Sequence, residues 1–392
     1  MDTGSRLCPD TGKHGRAPDG YVGLQDSEGS RGRHDEMRTG RTLLRLPGGI
    51  VLSDHFVLVL TVVYFLLIWS IYPHMAARRN IANLFSNVWP LLALVIGQMF
   101  VLIVGGIDLS QTSIMAVTSV LGAMIMAGRF DPAKFEHNPL WGVVFSEQGG
   151  LLAGSGWAVP VAIMLMLAVG VGIGFVTGLA VAKLKMPPFM VTLVAMSFFS
   201  GLAIYLTRSE NIMHLPESFI AVGKGSIGPV PSAMLIVVTL AALAFVILNL
   251  SILGRWLYAV GQNIRTACVS GVPTGRVVIL AYVFSGFCAG LGSILYSARL
   301  EAGRPTLGRN LLLDVIGAAV IGGISLYGGK GRVLAAVYGV LFFVVLDNSL
   351  NKMPLEFYSI DIIKGGIILL AALLDALRTR IASRQTVPEG IS

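Results

Sequence analysis

The sequence predicts an all-α fold, a polytopic membrane helix bundle with about ten transmembrane helices, some of them short or broken. Three observations predict it. Only 13% of the 392 residues are charged, against about 25% in an ordinary soluble domain. Hydrophobic residues make up 54%, and mean hydropathy is +0.76. These residues come in repeated runs near the ~20-residue length that spans a bilayer's hydrocarbon core. A backbone in lipid must satisfy its own hydrogen bonds, which makes such runs helices. The same figures exclude a soluble globular, disordered or disulfide-scaffold chain. The formal net charge of +8 raises nucleic acid as a partner. The basic residues lie between apolar runs, however, which suits topology marking better, and no nucleic-acid partner is expected.

Taken in order, residues 1–52 read as a polar cytoplasmic tail, too hydrophilic to pack. No apolar stretch precedes Met37, so this is not a signal peptide. Translation starting at Met37 accounts for the segment equally well. Residues 53–378 form the membrane domain and 379–392 a second short cytoplasmic tail. The expected spans are Asp54–Tyr72, Val88–Val104, Thr112–Ala127, Trp157–Ala182, Phe189–Leu206, Pro231–Leu250, Val277–Ala298, Leu311–Ile324, Val333–Leu350 and Ser359–Leu377. The third and eighth are short enough to be broken or half-buried. In the fourth, Gly170, Gly174 and Gly178 stand four apart, a spacing that lets helix backbones approach closely. A modest excess of Lys and Arg on alternate loops places both chain ends inside.

Four segments are more than membrane filler. In the first, Gly105-Gly106-Ile107-Asp108-Leu109-Ser110, two glycines break a span and a carboxylate follows. Ser110 or Thr112 is a candidate cap for the next helix. An aspartate near hydrocarbon is costly and faces protein or water, so Asp108 is either an interfacial cap or the border of a polar path. Ile321-Gly322-Gly323-Ile324-Ser325-Leu326 echoes this stretch in part. The second is the polar connection Gly254–Arg276. There Asn263 suits an N-cap and Gly271 a C-terminal stop, framing two helical turns over Ile264–Ser270. These turns are either an idle loop helix or a rigid lever that docks on a cytoplasmic partner.

The third segment, Gly328-Gly329-Lys330-Gly331-Arg332, lacks the spacing of a phosphate-cradling loop and reads as a tight cytoplasmic turn. In the fourth, Asp347, Asn348 and Asn351 cluster, while Asp361 and Lys364 stand three apart and can face each other on one helix. These serve as caps and pairs or line a polar route. Cys8, Cys268 and Cys288 suggest neither a disulfide framework nor a thiolate metal site. No His pair has zinc-ligand spacing, and no nucleophile or paired-carboxylate constellation appears. Neither a catalytic residue, a metal nor a cofactor is expected.

Together these segments resemble the permease subunits of ATP-binding-cassette monosaccharide importers, the ribose-permease-like family. The carriers of the resemblance are Gly105–Ser110, Met186-Pro187-Pro188-Phe189-Met190-Val191-Thr192-Leu193, Gly261-Gln262-Asn263 through Val272, and Gly303-Arg304-Pro305-Thr306-Leu307-Gly308 with Asp314, Gly322-Gly323 and Gly328–Gly331. They occur in the family's order over roughly Ser53 to Leu377. Two departures stand out. Gln111-Thr112 replaces the usual Val-Gly after Asp-Leu-Ser. Arg265 stands where an acidic residue is common, so the receiving groove is expected to carry an acid.

The resemblance implies a permease without an ATPase site, in the bacterial inner membrane. Its implied partners are an ABC ATPase subunit, a periplasmic sugar-binding protein and a second permease copy, with the surrounding lipid. The ATPase-coupling residues implied are Gly261, Asn263, Ile264, Arg265, Thr266, Ala267, Ser270 and Gly271. Gln98, Asp108, Ser110, Thr192 and Asn348 are candidates for the substrate path. Pentose, hexose and polyol all remain open as cargo. The competing class is a transporter driven by an ion gradient, with Asp108, Asp347 or Asp361 as buried ion sites.

Overall fold

The computed structural model describes residues 55–138 and 140–385. The expected tail over 1–52 lies outside them, as does the end of the second tail. The chain divides at Phe56, and nearly all described residues belong to the second unit, 57–392.

Among the described residues that unit is a bundle of helices with two short hairpins. The helices are α1 (Phe56–Ile71), α2 (Arg78–Ile103), α3 (Gln111–Met126), α4 (Pro132–Phe135), α5 (Ala158–Lys183), α6 (Pro188–Thr207), α7 (Glu217–Lys224) and α8 (Ser232–Leu250). They continue with α9 (Ile252–Gln262), α10 (Ile264–Val269), α11 (Thr274–Leu300), α12 (Leu311–Ile321), α13 (Val333–Lys352) and α14 (Phe357–Gln385). A 3-10 turn, Pro73–Ala76, leads into α2. The hairpins pair Phe145–Ser146 with Gly149–Gly150 and Ser226–Ile227 with Val230–Pro231.

Among the described residues, six helices are long and apolar enough to cross a membrane: α2, α5, α6, α8, α11 and α13. Three shorter apolar ones, α1, α3 and α12, accompany them. All ten expected spans coincide with helices, with three differences of extent, one being that α14 runs on to Gln385, eight residues past Leu377 and into the stretch expected as the second tail. α2 starts ten residues before Val88, because Arg78–Asn87 is helical but polar. α12 stops at Ile321, where a glycine pair ends it.

α2 is the central element, with 89% of its most apolar window buried. α11 packs along both α2 and α5, and α3 closes against α5 and α6. α5, α6 and α8 bury less than a third of their most apolar stretches, as lipid-facing helices should. The glycine spacing in α5 acts as expected. A Cβ on Gly170 would crowd the Gly286 carbonyl, one on Gly174 the Tyr282 carbonyl, and one on Gly178 the Ile279 backbone. Close backbone approach of α5 and α11 therefore replaces the hydrophobic drive that lipid cannot supply.

Candidate functional site: a broken helix joined to a short capped helix

α2 ends in a Schellman stop. Gly105 takes φ +82°, its N–H reaches the Leu102 carbonyl at 2.9 Å, and the Gly106 N–H reaches Val101 at 2.9 Å. An L side chain at position 105 would be strained. Gly106 is required for a different reason, since a Cβ there would meet the Tyr282 hydroxyl at 2.6 Å. The backbone then runs unwound to Ser110 before α3 begins.

Asp108 organises this unwound segment. Its Oδ1 accepts from the Ser110 N–H at 2.9 Å and the Ser110 hydroxyl at 2.5 Å. Its Oδ2 accepts from the Ser285 hydroxyl of α11 at 2.6 Å. Gln111 donates to the same Ser285 oxygen at 2.8 Å. The Gln98 amide, oriented as its neighbours require, spans the Asp108 backbone, donating to the carbonyl at 3.0 Å and accepting from the N–H at 3.2 Å. Thr192 of α6 donates to the Ile107 carbonyl at 3.2 Å. The break is thereby tied to α2, α6 and α11, and its orphan backbone groups find partners away from lipid.

Of the residues expected along a polar path, Gln98, Asp108, Ser110 and Thr192 therefore meet at one place, each 0–1% exposed. Asn348 lies apart and accepts from Asn80 at 3.0 Å. The capping expectation for Ser110 and Thr112 is corrected. Neither hydroxyl accepts from a helix N–H; Ser110 donates to Asp108, and Thr112 donates back to the Leu109 carbonyl. Ser110 already has helical backbone angles, φ −71° and ψ −15°, whereas a capping side chain needs a non-helical backbone to reach the first turn, and its hydroxyl turns to the Asp108 carboxylate instead. Asp108→Asn is expected to keep this geometry and cost about 1 kcal/mol, the loss of charge assistance from its hydrogen bonds. The unfolding midpoint of the purified protein in detergent checks it.

The second segment has the predicted cap chemistry. Asn263 Oδ1 accepts from the Arg265 N–H at 3.0 Å and the Thr266 N–H at 3.1 Å. Gly271, at φ +83°, closes α10 through Gly271 N–H to Cys268 and Val272 N–H to Ala267, each at 3.0 Å. Ala267 packs inward, while Ile264 is 53% and Val269 84% exposed. Arg265, Thr266 and Ser270 are exposed beside them. The sequence reading missed α9, a short amphipathic helix directly before α10.

α9 joins α10 to the break. Gly261 lies against the Ile103 carbonyl, where a Cβ would overlap the oxygen. The Gly329 N–H donates to that same carbonyl at 2.8 Å. Tyr258 of α9 donates to the Gly331 carbonyl at 2.7 Å. Burial pushes the Tyr258 phenol above its ordinary range, with the Arg332 charge opposing, so it stays a donor at neutral pH. The Gly328–Arg332 turn thus clamps α9 onto the last carbonyls of α2.

The glycine echo proves to be a shared helix stop. Gly323, at φ +94°, donates to Val320 at 2.9 Å and Ile324 to Ala319 at 3.0 Å, the same pattern as at Gly105-Gly106. The equivalence pairs Gly323 with Gly105, one residue off the sequence echo. The expected Asp361–Lys364 pair is also corrected: Lys364 binds Asp314 at 2.8 Å and Asp347 at 2.6 Å. Two carboxylates from neighbouring helices satisfy it better than one on its own helix. Among the described residues no His, Cys, Asp and Glu cluster suited to a metal occurs.

Comparison with known proteins places this arrangement. Residues 80–372 match the family described as branched-chain amino acid transport system / permease component. The ribose import permease protein of Bacillus subtilis is 33% identical over 77% of this chain and 86% of its own. The D-allose transport system permease protein of Escherichia coli is 27% identical over 76% of this chain and 84% of its own. The L-arabinose ABC transporter permease protein of Azospirillum brasilense is 28% identical over 78% and 82%. No solved structure matches. With three quarters of its length under one family profile, and a broken central helix inside that range, the chain belongs to the branched-chain amino acid transport system / permease component family, as a multi-pass membrane permease.

Proposed function

We propose that the chain is the membrane-spanning subunit of an ATP-binding-cassette importer for a monosaccharide or related polyol. A periplasmic binding protein delivers the cargo at the outer face of the bacterial inner membrane. Separate ATPase subunits drive the cycle, and two copies of the chain form the channel. The relatives named for ribose, allose and arabinose support the cargo class. The observation that carries the mechanism is the capped helix α10, which displays Ile264 and Val269 to solvent one helix away from the α2 break.

In this reading Gly261, Asn263, Ile264, Arg265, Thr266, Ala267, Ser270 and Gly271 form the coupling element. An ATPase groove grips the exposed face of α10, with an acid opposite Arg265. Nucleotide binding moves the ATPase subunits as rigid bodies, and α10 follows because both its ends are capped. α9 carries the displacement to the Ile103 carbonyl through Gly261. The α2 end then shifts against the segment held by Asp108, Ser285 and Thr192. Gln98, Asp108, Ser110 and Thr192 form the occluded stretch of the cargo route, and Asn348 lies on another part of it. Nucleotide moves the access equilibrium only as far as its affinities for the two states differ.

The test is uptake in proteoliposomes holding the chain, its ATPase subunit and its binding protein. Uptake is expected to stop when ATP is omitted or the binding protein is left out. Removal of Ile264–Ser270 is expected to leave an inserted protein that no longer associates with the ATPase. Uphill uptake by the chain alone on a proton or sodium gradient overturns the reading.

A further inference from the structure

At the end of α2 opposite the break, the chain opens into a cavity of about 930 Å³. The 3-10 turn, the first turns of α2, the segment after α7 and the last turns of α11 and α13 make its wall. Arg79, Lys224, Arg299 and Lys352 bring four cations to this wall, His74 adds a fifth basic group, and no acid lines it. Only Lys224 has a carboxylate partner, Glu301. Among the described residues no carboxylate pairs with Arg79, Arg299 or Lys352.

Arg299 is the telling member. It is half-buried, and its donors go to two neutral amides, Asn83 Oδ1 at 2.7 Å and Asn87 Oδ1. A guanidinium withdrawn from water without a counter-charge is costly, and the cost falls when an anion enters beside it. α2 adds to the same field. Its N-cap, Ala77, offers no side-chain acceptor, so the positive end of a 26-residue helix faces the cavity, which favours an anion. Asn83 and Ser86 supply neutral polar groups of the kind that hold sugar hydroxyls. The volume falls in the range of small-molecule sites, roughly 300–1,000 Å³, and concave walls suit a solute better than a flat protein face.

We propose that this cavity is the outer receiving site of the transport route and takes a sugar that carries a carboxylate, a uronate or an aldonate. The inference rests on the importer reading for its direction. α10 and the cavity flank opposite ends of α2, about 40 Å apart at 1.5 Å per residue. A cytoplasmic α10 therefore puts the cavity on the side from which cargo arrives. An acidic surface on the delivering protein would use the same cations, and the experiment separates the two.

The full-length chain, purified into nanodiscs of neutral lipid, is titrated calorimetrically with D-galacturonate, D-gluconate and the neutral sugar D-galactose. At least one acid is expected to bind saturably, with galactose at least tenfold weaker. The double variant Arg79→Gln/Lys352→Gln, at two exposed positions, is expected to weaken acid binding tenfold or more. Arg299→Lys keeps the charge and is expected to retain part of it. Higher salt is expected to weaken it too. Equal binding of galactose and the acids, no binding of any of the three, or binding indifferent to the double variant overturns the inference. Uptake lost in the double variant with acid binding unchanged assigns the cations to an acidic protein surface and also overturns it. ATP-driven uptake of a neutral sugar without acid binding removes this inference and leaves the importer reading standing. Absence of any ATP-driven uptake strikes the importer reading instead.

Discussion

Replacing Gly261 by alanine is expected to cut productive transport at least tenfold in a chain that still inserts and still binds its ATPase. The added methyl has nowhere to go. It would overlap the Ile103 carbonyl oxygen and press on the Gly329 N–H, and those two atoms are bonded to each other at 2.8 Å. Both belong to the backbone, so neither can rotate aside as a side-chain tip would. α9 must then lift off the end of α2. Forcing an extra methyl into such a contact costs about 1–3 kcal/mol, and each 1.4 kcal/mol is about a tenfold change in an equilibrium. Uptake in proteoliposomes is expected to fall at least tenfold while ATP hydrolysis continues, because α10 itself is untouched. Gly172→Ala is the control: its Cβ meets nothing within 4 Å, and uptake is expected to match the parent. Uptake at the parental rate in Gly261→Ala would sink the transmission route through Ile103.

The features legible in the sequence are the ones written locally. Hydropathy located the spans because lipid demands long apolar runs whatever packs against them. Asn263 and Gly271 announced α10 because capping is decided within four residues. What stayed hidden is chemistry between distant positions. The first turns of α2 carry Asn80, Asn83 and Asn87, polar because they bind Asn348 and Arg299, so an apolar scan stops at Val88. α9 is too short and too amphipathic to register as a span, and its importance lies in touching Ile103 and Gly331. Spacing alone suggested Asp361 for Lys364. Only the packing of α12, α13 and α14 reveals Asp314 and Asp347 as its partners. The candidate path residues were singled out one by one as polar groups in apolar surroundings; the convergence of Gln98 and Thr192 on Ile107-Asp108 is a product of the fold, which also sets Asn348 apart beside Asn80.

Lys364→Met is expected to be among the most destabilising single substitutions in the bundle. The Lys364 and Asp314 side chains are 8% and 9% exposed, and Asp347, at 38%, reaches partly to solvent. The ammonium sits between carboxylates from α12 and α13 and fastens α14 to both. Its removal leaves Asp314 as an uncompensated charge inside the bundle, a loss of about 3–5 kcal/mol for a buried pair broken from one side. Asp347 loses less, since water and the Asn351 amide at 3.0 Å remain to it. The double substitution Lys364→Met/Asp314→Leu removes the stranded charge and is expected to recover at least half of the loss, because a buried ion pair exchanged for apolar groups is often neutral. The unfolding midpoint of each variant in mixed micelles reads the difference. A single variant as stable as the parent would mean that the ion set does not hold these helices together. A double variant no better than the single would place the cost in lost packing of the lysine stem rather than in the orphaned carboxylate.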